Sequence, residues 1–112
     1  MPKMDLIIEE AIRKELKKPG GKPTKADLES VTRLGLVSTK ISDASLKELP
    51  KLKGLKLLYL SGTEISNAGL KNLSKLKQLT ELTLINTKVT KAGAAELQEA
   101  RPKSRIYSNA KK

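Results

Sequence analysis

Apolar residues recur along the middle of the chain at a fixed interval of 24 positions. The clearest copy runs from Leu55 to Ile65, with one copy before it and one after it. The matching positions are Val31, Leu55 and Leu79; Leu34, Leu58 and Leu82; Leu36, Leu60 and Leu84; and Ile41, Ile65 and Val89. The second and third sets are two residues apart, as the inward-facing residues of a short strand are. A fixed period of this length is typical of a solenoid of stacked units.

Hydroxyl side chains form two further columns at the same interval. The first lies just before a predicted short helix in each unit and contains good N-cap residues: Ser42, Ser66 and Thr90. The second lies within the predicted turns: Thr39, Thr63 and Thr87. A buried hydroxyl is tolerated only when it is hydrogen-bonded. We therefore expect these threonines to be structural, each bonded to turn backbone of its own or the adjacent unit.

Residues 1–30 carry a helical pattern and belong to no repeat. Ile8, Ile12 and Leu16 recur at the spacing of one helical face, and Asp5 can cap the N-terminus of that helix. Thr24 with Asp27 indicates the start of a second helix. An open solenoid end exposes apolar surface and an unpaired strand edge. We expect this segment to cover the first leucine layer as an N-terminal cap.

The pattern weakens after the third unit. Ala94, Ala100 and Lys103 replace leucines of the earlier units, but Ile106 still matches the column of Leu58. Lys103 to Ser108 can therefore form a final edge strand, and the charges around it would discourage pairing with another chain. The sequence predicts a helical cap at residues 1–30, three 24-residue repeats at 31–102, and an edge strand with a tail at 103–112.

The repeat segments resemble a known family. Thr63-Glu64-Ile65-Ser66-Asn67-Ala68-Gly69-Leu70 and its copies at 39–44 and 87–93 look like the units of short bacterial leucine-rich repeat proteins, related to the ribonuclease-inhibitor type. The opening, with Ala11 to Leu16 and then Ala26-Asp27-Leu28, resembles the helical N-terminal cap of internalin-like proteins. The resemblance implies a right-handed α/β solenoid with a short parallel sheet on the concave side, short helices on the convex side, and binding to other proteins.

Composition narrows the function classes. The absence of His and Cys removes most routes to a metal site, a thiol nucleophile or a Ser/His dyad, so we expect no catalytic, cofactor or metal site and no enzyme. No apolar run approaches the ~20 residues of a transmembrane helix, and the opening residues lack a signal-peptide core. We expect a soluble chain for which a monomer is favoured, and the sequence does not decide between a cytoplasmic protein, as given, and a secreted one whose signal peptide was removed.

The outward positions of the predicted strands are the candidate binding residues. Side chains alternate along a strand, so these positions form columns on what we call the concave face. The candidates are Arg33, Val37, Leu57, Tyr59, Glu81, Thr83, Ile85, Arg105 and Tyr107. Both aromatics of the protein fall in one column, and Tyr is favoured at interfaces. A protein or peptide could bind there; alternatively, Tyr and β-branched residues simply suit a strand surface.

Charge supports a second possibility. The net charge is +11, and several lysines fall in columns on the helical side. These columns, which we call the basic stripe, are Lys47 and Lys71; Lys51 and Lys75; and Lys53, Lys77 and Arg101. Such a stripe could bind nucleic acid or another polyanion. No aromatics are interleaved with it and no nucleic-acid motif is present. A structural or engineered scaffold without a ligand of its own is the third alternative.

The repeat interpretation predicts the cost of one core substitution. Leu58→Ala should lower the free energy of unfolding by ~2 to 5 kcal/mol, as truncation of a buried leucine does. Lys75→Ala should change it little, because surface substitutions usually do. Urea denaturation of the three proteins measures both effects. Equal stabilities would contradict a stacked leucine core.

Overall fold

The computed structural model describes residues 6–17 and 21–110. Two helices open the chain, α1 (Leu6–Leu16) and α2 (Lys25–Ser30). The predicted cap residue Asp5 lies outside the described residues. Four short strands follow at regular intervals: β1 (Arg33–Gly35), β2 (Leu57–Tyr59), β3 (Glu81–Thr83) and β4 (Arg105–Tyr107). Helical segments connect each strand to the next.

The four strands form one open parallel sheet in the order β1-β2-β3-β4. Each strand residue pairs with the residue 24 positions later, so that Leu34 lies opposite Leu58, Leu58 opposite Leu82, and Leu82 opposite Ile106. Parallel strands need a crossover connection, which the helical segments supply. The fold is the predicted α/β solenoid, with the sheet on one side and the helices on the other.

The core is a stack of aliphatic layers. The central residue of each of the first three strands, Leu34, Leu58 and Leu82, has no exposed surface. Ile8 and Ile12 of α1 belong to the same buried cluster, so α1 packs on the repeat core. The second helix start is as predicted, because Thr24 and Asp27 form a reciprocal capping box at α2.

The turn after each strand repeats in detail. A residue with positive φ follows each of the first three strands: Ser38 (57°), Gly62 (75°) and Asn86 (59°). Next to each, a threonine hydroxyl donates to a backbone carbonyl of its own unit: Thr39 to Leu36 (2.7 Å), Thr63 to Leu60 (2.6 Å) and Thr87 to Leu84 (2.8 Å). The structural prediction for this threonine column is confirmed.

The three helical segments differ because their sequences differ. The first is a 3₁₀ helix, Asp43–Lys51, and Pro50 within it lacks the N–H that an α-helix would use. The second is a 3₁₀ turn, Asn67–Gly69, followed by α3 (Leu70–Leu73). The third, α4 (Lys91–Ala100), is rich in alanine and forms a regular α-helix.

Side chains also bridge successive units on the helical side. The N–H and the hydroxyl of Ser66 both donate to the Asp43 carboxylate, the N–H to Oδ1 at 2.8 Å. One unit later, the N–H of Thr90 donates to Asn67 Oδ1 at 3.0 Å, and Asn67 Nδ2 donates to Thr90 Oγ1 at 2.8 Å. We call these the inter-unit bridges. In each bridge, a side-chain oxygen of one unit accepts a hydrogen bond from the backbone N–H just before the helical segment of the next unit.

The bridges alter the N-cap prediction. Thr90 is an N-cap as predicted, since its Oγ1 accepts from the N–H of Gly93 at 3.1 Å. Ser66 also occupies the N-cap position of its segment, but its side chain makes no capping bond there and donates instead to Asp43. The carboxylate is the stronger acceptor, which explains the hydroxyl's orientation.

Gly69 and Gly93 are required by the same bridges. A Cβ at Gly69 would overlap Asp43 Oδ1 and approach Leu46 Cδ1 to 2.8 Å, and a Cβ at Gly93 would overlap Asn67 Oδ1. The first unit has Ser45 in this column. The glycine in the repeat therefore makes room for the acidic or amide side chain of the preceding unit.

We predict that Gly69→Ala lowers the free energy of unfolding by about 1–3 kcal/mol, as overpacking a filled site does. Gly35→Ala is the matched control, because a Cβ there meets nothing within 4 Å and alanine should be neutral or slightly stabilising. Thermal and urea unfolding measure both. Addition of Asp43→Ala should reduce the penalty at Gly69; a Gly69→Ala protein as stable as the parent would refute the steric explanation.

Candidate protein-binding surface

The structure places seven of the nine candidate residues on one face of the sheet and the other two, Val37 and Ile85, in the turns that follow β1 and β3. The β-pairing aligns two rows across the strands: Arg33, Leu57, Glu81 and Arg105, and then Gly35, Tyr59, Thr83 and Tyr107. Adjacent strands lie ~4.8 Å apart, so Tyr59 and Tyr107, two strands apart, are separated by roughly 10 Å. The third row lies in the turns, where Val37 and Ile85 flank Ser61.

Apolar side chains on this face are exposed. Val37 retains 54%, Ile85 39% and Tyr107 43% of its accessible surface, whereas Leu57 and Tyr59 are half-buried. Large exposed apolar residues that cluster are more informative than scattered ones. The concave face therefore has a charged row at one side, the tyrosine row in the middle, and exposed apolar residues in the turns at the other side.

Helix α1 borders the concave face at the β1 edge. The Arg33 guanidinium carbon lies 6.0 Å from the centre of the Tyr59 ring, and Arg33 Nε lies 3.7 Å from Glu15 Oε1 of α1. Both contacts are solvent-exposed, so each contributes at most about 1 kcal/mol. Their main effect is to orient Arg33 between the helix and the tyrosine.

A groove of about 350 Å³ lies between α1 and the first two strands. Ile7, Ala11 and Lys14 line its helical side, and Arg33 and Tyr59 line its sheet side. Sequence reasoning placed α1 over the leucine core but did not place any of its residues beside Tyr59. Ile7 and Ala11 are partly buried against the same core as Ile8 and Ile12, and both also line the groove.

The groove has mixed charge. Glu10 and Glu15 contribute two carboxylates, while Lys14 and Arg33 contribute two cations. The buried Leu36 and the partly buried Thr39 also line it. Such a surface suits a peptide with an apolar side chain flanked by polar groups better than it suits a single strongly charged ligand.

The described ranges contain no cluster of side chains suited to a metal ion. No group of three or more His, Cys, Asp or Glu side chains is placed to hold a metal ion there. In two exposed turns, a 2.8 Å hydrogen bond from Lys88 lowers the pKa of Glu64, and the same bond raises the pKa of Lys88. This pair joins two turns and lies outside the candidate rows.

The basic stripe is partly neutralised. Lys51 Nζ lies 2.7 Å from Glu48 Oε2, and Lys53 Nζ lies 3.9 Å from Glu29 Oε2. Lys71, Lys75 and Lys77 are exposed and take part in no ion pair among the described residues. The unpaired charge of the stripe is thus concentrated in the second and third units.

Solved structures show the same architecture. The chain is similar to an internalin, InlF, from Listeria monocytogenes, with a TM-score of 0.63 and 23% identity over 96% of this chain and 36% of that one. It is also similar to internalin C2 of the same organism, with a TM-score of 0.61 and 19% identity over 92% of this chain and 54% of that one. The fold is an internalin-like leucine-rich repeat solenoid. This chain spans about a third of the first protein and about half of the second.

Sequence comparison adds no family. No family model matches the chain, and no curated protein matches it. Across residues 6–17 and 21–110, every helix is too short or too polar to cross a bilayer. At these identities the likeness to the internalins concerns the fold alone.

Proposed function

We propose that this chain is a non-enzymatic interaction module that binds a protein or peptide on its concave face. The observation that carries the proposal is the row containing Tyr59 and Tyr107, flanked by the exposed apolar residues Val37 and Ile85. Tyrosine offers a large contact area at a small cost in side-chain entropy and retains a polar tip. Aromatic and arginine side chains dominate binding energies at protein interfaces.

The scaffold makes this surface rigid before binding. The strands that carry the rows are paired along the sheet, and their central leucines are buried. A surface that is already ordered loses little conformational entropy when a partner binds. Arg33, Glu81 and Arg105 form the charged row beside the tyrosine row, where they would set the orientation of a partner.

The groove beside α1 extends the proposed surface. It would take the end of a peptide that crosses the tyrosine row, with an apolar side chain against Ile7 and Ala11. We divide the chain into a cap at residues 1–30, the repeats at 31–102, and the final edge strand with a tail at 103–112. Within the cap, α1 forms one wall of the proposed site.

The polyanion alternative has weaker support. Lys51 and Lys53 are paired with carboxylates, which lowers the local positive charge of the first unit. If the stripe bound nucleic acid, affinity would fall steeply with salt. Titration of labelled single- and double-stranded DNA at low and moderate salt tests it, and absence of binding at low salt removes it. A scaffold with no ligand of its own would bind neither the DNA in this titration nor a peptide in the assay described next.

The concave-face proposal predicts the effect of removing both tyrosines. Peptides selected from a random display library against the parent protein should bind the Tyr59→Ala, Tyr107→Ala protein at least about tenfold more weakly, because each truncation removes an interface anchor. The melting temperature should change little, since Tyr107 is exposed and Tyr59 half-buried. Isothermal titration calorimetry and thermal unfolding measure the two quantities.

Lys71→Ala, Lys75→Ala is the matched control, because it also truncates two side chains but lies on the helical side. Its affinity for the selected peptides should equal that of the parent. The proposal fails if the tyrosine variant retains full affinity, or if the lysine variant loses as much.

A further inference from the structure

A second cavity lies at the other end of the molecule, away from α1. It has a volume of about 370 Å³ and is formed between the segment before β3 and the loop that joins α4 to β4. Lys77, Leu79 and Thr80 line one side, and Arg101, Pro102 and Lys103 line the other. Cavities of this size hold small organic ligands.

The cavity collects positive charge without a counter-charge. Three of its lining residues are cations and none is acidic. Lys77, Arg101 and Lys103 take part in no ion pair within the described ranges. Like charges held close together repel each other, so an anion that enters the cavity gains from all three.

The repeat itself explains why these charges lack partners. Lys53, Lys77 and Arg101 occupy one column, and Lys53 pairs with Glu29, the residue 24 positions before it. The residue 24 positions before Lys77 is Lys53, and the one before Arg101 is Lys77. Stacking therefore places cation beside cation in the later units, where the first unit has an ion pair.

The hydrogen bonds around the cavity also favour a ligand that accepts hydrogen bonds over one that donates them. Gln98 Nε2 donates to the carbonyls of Arg101 (3.1 Å) and Ser104 (2.7 Å), and Ser104 Oγ donates to the Leu79 carbonyl (2.5 Å). These carbonyl oxygens are already engaged. In contrast, Arg101 Nε is buried and has no hydrogen-bond partner among the described residues. Buried polar groups are almost always paired, so this donor is unusual.

We propose that this cavity binds the phosphate group of a small phosphomonoester. A guanidinium group fits phosphate oxygens in a bidentate arrangement, and Lys77 and Lys103 supply two further positive charges. A dianionic phosphate gains more from three cations than a carboxylate does. Arg101 is half-buried, so its side chain can turn toward an oxygen in the cavity and give Nε a partner. Leu79 and Pro102 offer apolar contact to the organic part of the ligand.

The test titrates ¹⁵N-labelled protein at pH 8 with inorganic phosphate, O-phosphoserine and acetate, each at the same ionic strength. The two phosphates should produce saturable shifts in the amides of residues 77–80 and 100–104, and acetate should bind more weakly. Tighter binding of O-phosphoserine than of phosphate would identify the monoester as the ligand class. Shifts spread over all lysine-bearing segments, or equal binding of acetate, would overturn the proposal.

Variants separate a built site from general charge. Arg101→Gln should weaken phosphate binding at least about tenfold, because a hydrogen bond to a charged group is lost. Lys47→Gln removes the same charge from an exposed position on the helical side of the first unit, two units before Arg101, and should change the affinity less than about twofold, since an exposed distant charge is screened. Equal losses in the two variants would refute the site. Lys103→Gln, at an exposed position, replaces Arg101→Gln if the latter fails to fold.

Discussion

The alignment of identical apolar layers is the constraint on which this structure depends. A single unit has only a short strand and a helical segment, too little to bury its own leucines. Burial is achieved between units, because Leu34, Leu58 and Leu82 stack in register across the sheet. A change in unit length by one residue would move inward side chains to the outside of the strand. The constant interval is thus a requirement of burial.

Polar groups follow the same interval. The threonine column bonds the turn within each unit, and the inter-unit bridges bond the start of each helical segment to the unit before it. The bridges in turn require glycine at positions 69 and 93. One period therefore specifies hydrophobic burial, turn geometry and contact between the helical segments.

Much of the fold was predictable because it follows from spacing. The strand positions, their parallel order and the structural role of Thr39, Thr63 and Thr87 can all be inferred from columns in the sequence. The bridging role of Asp43 does not follow from the N-cap column, because that column relates Ser66 only to its own helical segment. One feature of the sequence does indicate the bridges: Asp43 and Asn67 stand in one column of the repeat, and Gly69 and Gly93 stand in another. The repeat period alone does not show which side chains of different columns are in contact; the structure is needed for that.

The candidate rows were equally accessible from the sequence, because strand alternation and register determine them. The groove was not, since the lateral position of α1 depends on how Ile8 and Ile12 pack on the core. Likewise, the cavity near Arg101 depends on the course of the loop between α4 and β4. Pairing rules relate one unit to the next, but they do not locate segments outside the repeat.

Helix α1 has two roles that are physically linked. The same eleven residues shield the first leucine layer and form one wall of the groove. A short helix that docks on a core can open by local unfolding, and a ligand held against that helix suppresses the opening. Occupation of the groove would therefore slow amide hydrogen exchange throughout α1. The protection of the first leucine layer by α1 and the affinity of the groove for a ligand would both depend on the same equilibrium, the packing of α1 on the core.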